Sequence, residues 1–274
     1  MHMPVWGTLA TITASERGIQ RGDDFEILLG GDGSDPAFTQ IPEEVKTVSL
    51  REYYLDWRAE EPAVFTIECL DDVPAPARLT GEQVVAKLDV AIQQVERSVL
   101  HWNAYMNEHR AKGVDNTFSV PMKVAKGLGV ARYSFNFWSL AADEVLLIES
   151  DVPEARYWNL QLANIGWFEQ IDSIHRITTI NQKQAHVSSG GRLHMVIAHE
   201  DPGVPNWFDT GGHHQGLITY RWFWPQSDPA MASRVVKLSE LASLLPEDTP
   251  MVDAEARRRD VSARKAHLAW RFRT

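Results

Sequence analysis

Apolar and polar positions along the 274-residue chain change their period twice, and those changes divide it. Three runs near the start, Phe25 to Leu29, Val45 to Tyr54 and Ala63 to Leu70, are rich in aromatic or β-branched residues. Gly, Asp and Pro separate them, a composition that predicts antiparallel strands. In the third run Phe65, Ile67 and Cys69 alternate with Thr66 and Glu68, the two-residue period of a half-buried strand, so Cys69 is expected in the core. The period then lengthens. Val84, Leu88, Ile92, Val95, Val99, Trp102 and Met106 recur at steps of four and three, which draws one apolar stripe along a helix of about thirty residues lying across a sheet. Thr80 followed by Gln83 is the pattern of a capping box at its start, and Gly113 is a natural stop.

From Phe118 to Trp224 the period shortens again, with alternation in Ala131 to Phe137, Val145 to Glu149, Tyr157 to Leu162, Arg192 to Ala198 and Leu217 to Trp224. Roughly eight hairpin-spaced strands over the whole protein predict a mainly β fold, a jelly-roll-like antiparallel β-sandwich with one long helix and a C-terminal helix. The corresponding organisation is N-terminal strands plus the long helix over 1–115, a jelly-roll core over 116–230 and a helical tail over 231–274. A short amphipathic piece, Val235 to Leu245, opens that tail. Its helix, Val252 to Arg273, carries Arg257, Arg258, Arg259, Arg264, Lys265, Arg271 and Arg273, and these are expected to be solvated or to pack on an acidic body.

Composition narrows the function classes. A 44% hydrophobic content supports a real core. The longest apolar runs stop well short of the ~20 residues of a membrane helix, and Met1 to Thr13 lacks the basic-then-apolar order of a leader, so a soluble, cytoplasmic protein is expected. Lys plus Arg is 27 against 37 for Asp plus Glu, a formal charge of −10. That sign argues against nucleic acid as a partner. The single cysteine can form neither an internal disulfide nor a thiolate zinc cluster.

Ligand-type residues crowd in one place. Between Asp172 and Arg221 lie His175, His186, His194, His199, His213 and His214, six of the ten histidines, with Glu200, Asp201 and Asp209. In the strand Arg192 to Ala198, continued alternation places His199 on the same apolar face as Leu193, Met195 and Ile197, where an imidazole needs a partner. Pro202, Gly203 and Pro205 must then leave the sheet, which puts His199 at a strand end, at the rim where function is commonly carried. If the strands on either side of Asn206 to Gln215 pair, His199, Asp209 and His213 or His214 converge. Three readings of that set stay open: a Zn, Fe or Mn site, a metal-free acid–base pair, or hydrogen-bonded structural histidines. The spacing fits neither His-Glu-x-x-His nor His-x-His, so the metal and any cofactor stay unknown.

Other chemistry is weaker. There is no Gly-x-Ser-x-Gly elbow, and Ser188-Ser189-Gly190-Gly191 is the pattern of a tight turn. Lys126-Gly127-Leu128-Gly129 reads as hairpin glycines rather than a phosphate loop. Trp138, Trp158, Trp167, Trp207, Trp222 and Trp224 suit a sandwich core or the lining of a sugar-binding cleft. Arg176, Arg192 and Arg221 can meet an anionic substrate group or hold carboxylates such as Asp172 and Asp209.

Longer words in this region carry a resemblance: Tyr157-Trp158-Asn159-Leu160-Gln161-Leu162, Asp172-Ser173, His199-Glu200-Asp201-Pro202-Gly203-Val204-Pro205-Asn206-Trp207-Phe208-Asp209 and Tyr220-Arg221-Trp222-Phe223-Trp224-Pro225. Over about 130–226 the chain resembles the domain of unknown function 1214 family in its actinobacterial form. The resemblance implies a jelly-roll sandwich and carries no established reaction; the partner domain of larger relatives, domain of unknown function 1254, is not plain in 1–115. The reading that follows is an enzyme for a small polar or amphiphilic molecule, a sugar or lipid derivative in an aromatic cleft. Hydrolase or lyase chemistry would use His199, Asp209, His213 or His214, with Arg221 and Asn206 binding substrate and Trp207 packing on it. The alternative is a non-catalytic, lectin-like ligand-binding module or an assembly module, with the long helix and basic tail as contact surfaces and a homo-oligomer as the product.

Overall fold

In the computed structural model the described residues are 8–31, 33–72, 77–124 and 129–272. The chain falls into two compact units, 1–52 with 124–129, and 53–123 with 130–274. The Lys126–Leu128 part of the proposed hairpin glycines lies outside the described residues, as do Met1 to Gly7 and Arg273.

The first unit holds little regular structure: a 3-10 turn at Ala14–Arg17 and two short strands, β1 (Leu28–Leu29) and β2 (Phe38–Thr39). These pair in parallel, so the expected antiparallel strands at Phe25 to Leu29 and Val45 to Tyr54 reduce to one two-residue segment. In the second unit, Ala63 to Leu70 is likewise not a strand. Composition favoured a pleat there, but a strand also needs a ladder partner and a face to bury. Ile67 is 87% exposed, and Cys69 is exposed rather than in the core.

Eight strands of the second unit make two four-stranded sheets. One holds β3 (Ala131–Ser139), β9 (Gln215–Phe223), β5 (Tyr157–Ala163) and β6 (Thr179–Asn181), in that order. The other runs β10 (Met231–Lys237), β4 (Glu144–Asp151), β7 (Arg192–Ala198) and β8 (Trp207–Asp209). All pairs are antiparallel except β7 with β8. The chain passes back and forth between the two sheets, β3 to β4 to β5 and again β8 to β9 to β10, the crossing pattern of a jelly-roll sandwich.

Alternation decides which side chains meet between the sheets. Leu146 and Ile148 from β4 and Leu193, Met195 and Ile197 from β7 share a core with Trp158, Leu160 and Leu162 from β5 and Ile218, Tyr220 and Trp222 from β9. Of the six tryptophans considered for a cleft, Trp138, Trp158, Trp207 and Trp222 are buried, which settles them as core. β10 was expected as part of an amphipathic piece from Val235. It is an edge strand whose side chains are mostly exposed, so its alternation is faint; the rest of that piece is a 3-10 turn at Leu238–Glu240 and a short α-helix at Leu241–Leu244.

Two helices flank the sandwich. α1 (Gly81–Lys112) starts at the expected box: the Thr80 hydroxyl accepts from the Gln83 amide at 3.2 Å, and Gln83 Oε1 accepts from the Thr80 amide at 2.9 Å. Its C-terminal part packs on the outer face of β3 and β9. Met106 is buried, the His109 ring lies 5.9 Å from that of Phe135, and Arg110 donates to Gln215. α2 (Ala254–Phe272) is the C-terminal helix, and part of its basic face packs on the body. Arg257 pairs with Asp201 at 2.9 Å, and Arg264 is buried over the Trp57 ring. Burial pulls the Arg264 guanidinium down to about 10.

Gly216 sits where β9 passes beneath Trp138. A Cβ there would lie 2.5 Å from Trp138 Cζ2 and 2.9 Å from the Ala163 carbonyl oxygen. Neither the buried indole nor the ladder backbone can move away. Gly216→Ala is therefore expected to lower stability by about 1–3 kcal/mol in urea unfolding, the scale of overpacking in a dense core.

Candidate functional site

β7 ends at Ala198, and His199 follows on the inner-facing side, as alternation requires. Its ring is fully engaged. Nε2 donates to the Leu140 carbonyl at 3.4 Å, so Nδ1 is the acceptor for the Thr210 hydroxyl at 3.0 Å. His214 lies beside it, with ring centroids 5.0 Å apart, and is exposed. The backbone of His214 serves the fold, since its carbonyl accepts from the Leu140 amide.

Asp209 does not join them. β8 adds to β7 in parallel, with Ala198 opposite Asp209. The Asp209 carboxylate accepts from Arg176 at 2.9 Å through one oxygen and from the Gly211 amide at 2.8 Å through the other. His213, also exposed, donates its backbone amide to the Thr210 carbonyl. Expected convergence of His199, Asp209 and His213 rested on pairing across the loop, but β7 and β9 belong to opposite sheets. Only His199 and His214 come together. Among the described residues, no three His, Cys, Asp or Glu side chains are grouped closely enough to hold a metal ion.

The three residues nominated for substrate are also placed by the fold. Asn206 adopts φ 55°, and its amide clamps two segments: Oδ1 accepts from the His186 amide, while Nδ2 donates to the carbonyls of His186 and His194 at 2.7 and 2.9 Å. Trp207 is buried, donates from Nε1 to the Ala198 carbonyl at 3.2 Å, and carries the Arg257 guanidinium over its ring. Arg221 projects from the outer face of the other sheet, where it donates to Gln161 at 2.7 Å. It is not part of the His199 rim.

A hollow lies elsewhere on the β7 side. Ser188, Ser189, Gly190, Arg192, His194, Pro246, Glu247 and Asp248 enclose an open concavity of about 530 Å³. Its walls are tied together. The Ser188 hydroxyl donates to the Arg192 carbonyl, closing the expected tight turn, and the Ser189 amide donates to Asp248 at 2.9 Å. The Ser189 hydroxyl, together with that backbone bond, holds the Asp248 carboxyl below its usual range. His194 sits opposite Glu149, Nε2 to Oε1 at 3.7 Å, and its Nδ1 is buried without a partner, as is Nε2 of His186. Burial pushes the His194 pKa below the ordinary 6.5, against the pull of the Glu149 charge. The place is not evident in the sequence, because Asp248 reaches it only from a distant loop and His194 meets Glu149 only through strand register. The available signal was His194 alternating with Arg192 on the outer face.

No protein-family model and no curated protein matches the chain. Among solved structures, an uncharacterised protein from Burkholderia cenocepacia is 33% identical with a TM-score of 0.62, over 68% of this chain and 52% of that one. A protein from Vibrio parahaemolyticus is 12% identical with a TM-score of 0.33, over 60% of this chain and 48% of its own. The chain thus spans about half the length of the solved structures it matches.

Two outcomes follow from this geometry. Asp209→Ala removes the acceptor for Arg176 and for the Gly211 amide together, and should cost about 1–3 kcal/mol in chemical denaturation. His194 and His267 both have depressed pKa values, chiefly through burial. The unfolded chain therefore binds protons first as pH falls below 6.5, and stability should decline from there towards the lower folded values. Melting temperature against pH should show this decline, and His194→Gln should make it shallower.

Proposed function

We propose that the chain is a non-catalytic binding module of the domain of unknown function 1214 type, which takes a small polar ligand such as a sugar derivative in the hollow beside β7. The observation that carries this is the lining of the hollow. Residues that carry hydroxyls, a guanidinium, an imidazole and two carboxylates line one open space, a mixture suited to a ligand that both donates and accepts hydrogen bonds. Ser188 and Asp248 are bonded within the walls, which fixes the shape of the lining, just as His199 and Asp209 are bonded within the rim.

A second reading, a hydrolase or lyase using His199 with Asp209, His213 or His214, draws support from the His199–His214 pair at the exposed rim. It requires His199 to release Thr210 and Leu140 before it can move a proton.

Calorimetric titration with neutral monosaccharides and uronic acids separates the two. Saturable binding that Asp248→Ala and Arg192→Ala each weaken at least tenfold, without product, is the expected result. Binding untouched by both substitutions would overturn the assignment of the hollow. Conversion of ligand to product, abolished by His199→Ala in a folded variant, would establish the catalytic reading instead.

A further inference from the structure

The stripe along α1 is only partly used. Met106, near its C-terminal end, is 1% exposed against the sheet, whereas Val85 and Leu88 are 58%, Ile92 65% and Val95 64% exposed on the same face. About twenty residues, Gly81 to Leu100, thus extend roughly 30 Å with an apolar seam uncovered among the described residues. In folded proteins most helical stability comes from packing of an amphipathic face, which this stretch lacks among the described residues.

We propose that this seam pairs with the same seam of a second copy of the chain, forming an antiparallel two-helix contact about a twofold axis. Three observations select that occupant. The seam positions Val85, Leu88, Ile92, Val95 and Val99 repeat at steps of three and four and include no charged residue, so the partner must itself present an apolar helical face of matching length. The chain carries one, and a symmetric pair needs no further complementarity. The exposed seam amounts to roughly 500 Å² per copy, so a pair buries about 1,000 Å², the threshold for a specific interface.

Direction follows from what the stripe already touches. At the C-terminal end of α1, the seam side is filled by its own sheet through Met106. A second helix can lie only along Gly81–Leu100, with its own sheet beyond the far end, which a parallel arrangement would not allow. Antiparallel overlap sets Leu88 and Ile92 of one copy against Ile92 and Leu88 of the other.

Light scattering of the full chain across a concentration series should give twice the 31.0 kDa chain mass, with dissociation on dilution. Leu88→Lys/Ile92→Lys should give the chain mass while retaining the tryptophan near-ultraviolet spectrum of the sandwich. Gln94→Lys, on another face of α1, should remain a dimer. If the double variant misfolds, hydrogen exchange of the wild-type α1 amides decides: protection rising with protein concentration supports the pair. A wild-type chain that is monomeric throughout, a dimer that the folded double variant keeps, or α1 protection independent of concentration would overturn it.

Discussion

Every placement in the sandwich depends on two sheets closing over one layer of side chains, in which Tyr220 and Trp222 of β9 meet Leu146, Ile148, Leu193 and Ile197 from the facing sheet. Apolar burial of that kind is the dominant favourable term in folding, and it is sensitive to volume because the interior is close-packed. It also fixes the register. With one face of β7 committed to the core, His194 and Arg192 must face outwards and His199 must arrive at the rim. The hollow beside β7 and the hydrogen-bonded rim are both consequences of that single choice of faces.

Polar groups at the rim then secure the turns that the core cannot reach. Asn206 joins the His186 segment to β7, and Asp209 ties Arg176 to the Gly211 turn. His199 bridges Thr210 and Leu140. The Asn206 bonds satisfy a buried amide that would otherwise lack water. Residues of catalytic type can therefore crowd a loop for structural reasons. The hollow differs in being an open concavity, lined by residues that carry hydroxyl, guanidinium and carboxylate groups.

Five strands of the sandwich were legible in sequence because each is a run of seven to nine residues rich in apolar and aromatic side chains: β3, β4, β5, β7 and β9. β6 and β8, each of three residues, are too short to display a period, and β10 has little buried surface to mark it. The runs at Val45 to Tyr54 and Ala63 to Leu70 have strand composition without a ladder, a distinction that composition alone does not make. α1 was readable down to its capping box, yet a stripe only says that a face needs cover. In the candidate site, the strand-end position of His199 and the Ser188–Gly191 turn followed from local rules. The separation of Asp209 from His199 and the meeting of His194 with Glu149 did not, since both depend on which strands become neighbours.

The central claim is that the loop from His199 to His214 is part of the rigid frame. Native-state hydrogen exchange read residue by residue tests it most directly. The amides of Asp209, Thr210, Gly211 and His213 each donate within the fold, to Ile177, Ala198, Asp209 and Thr210 respectively. Exchange as slow as in β7 and β9 is the predicted result. Exchange at the rate of an open surface loop, with β7 and β9 still protected, would contradict it and return those histidines to the pool of movable catalytic groups.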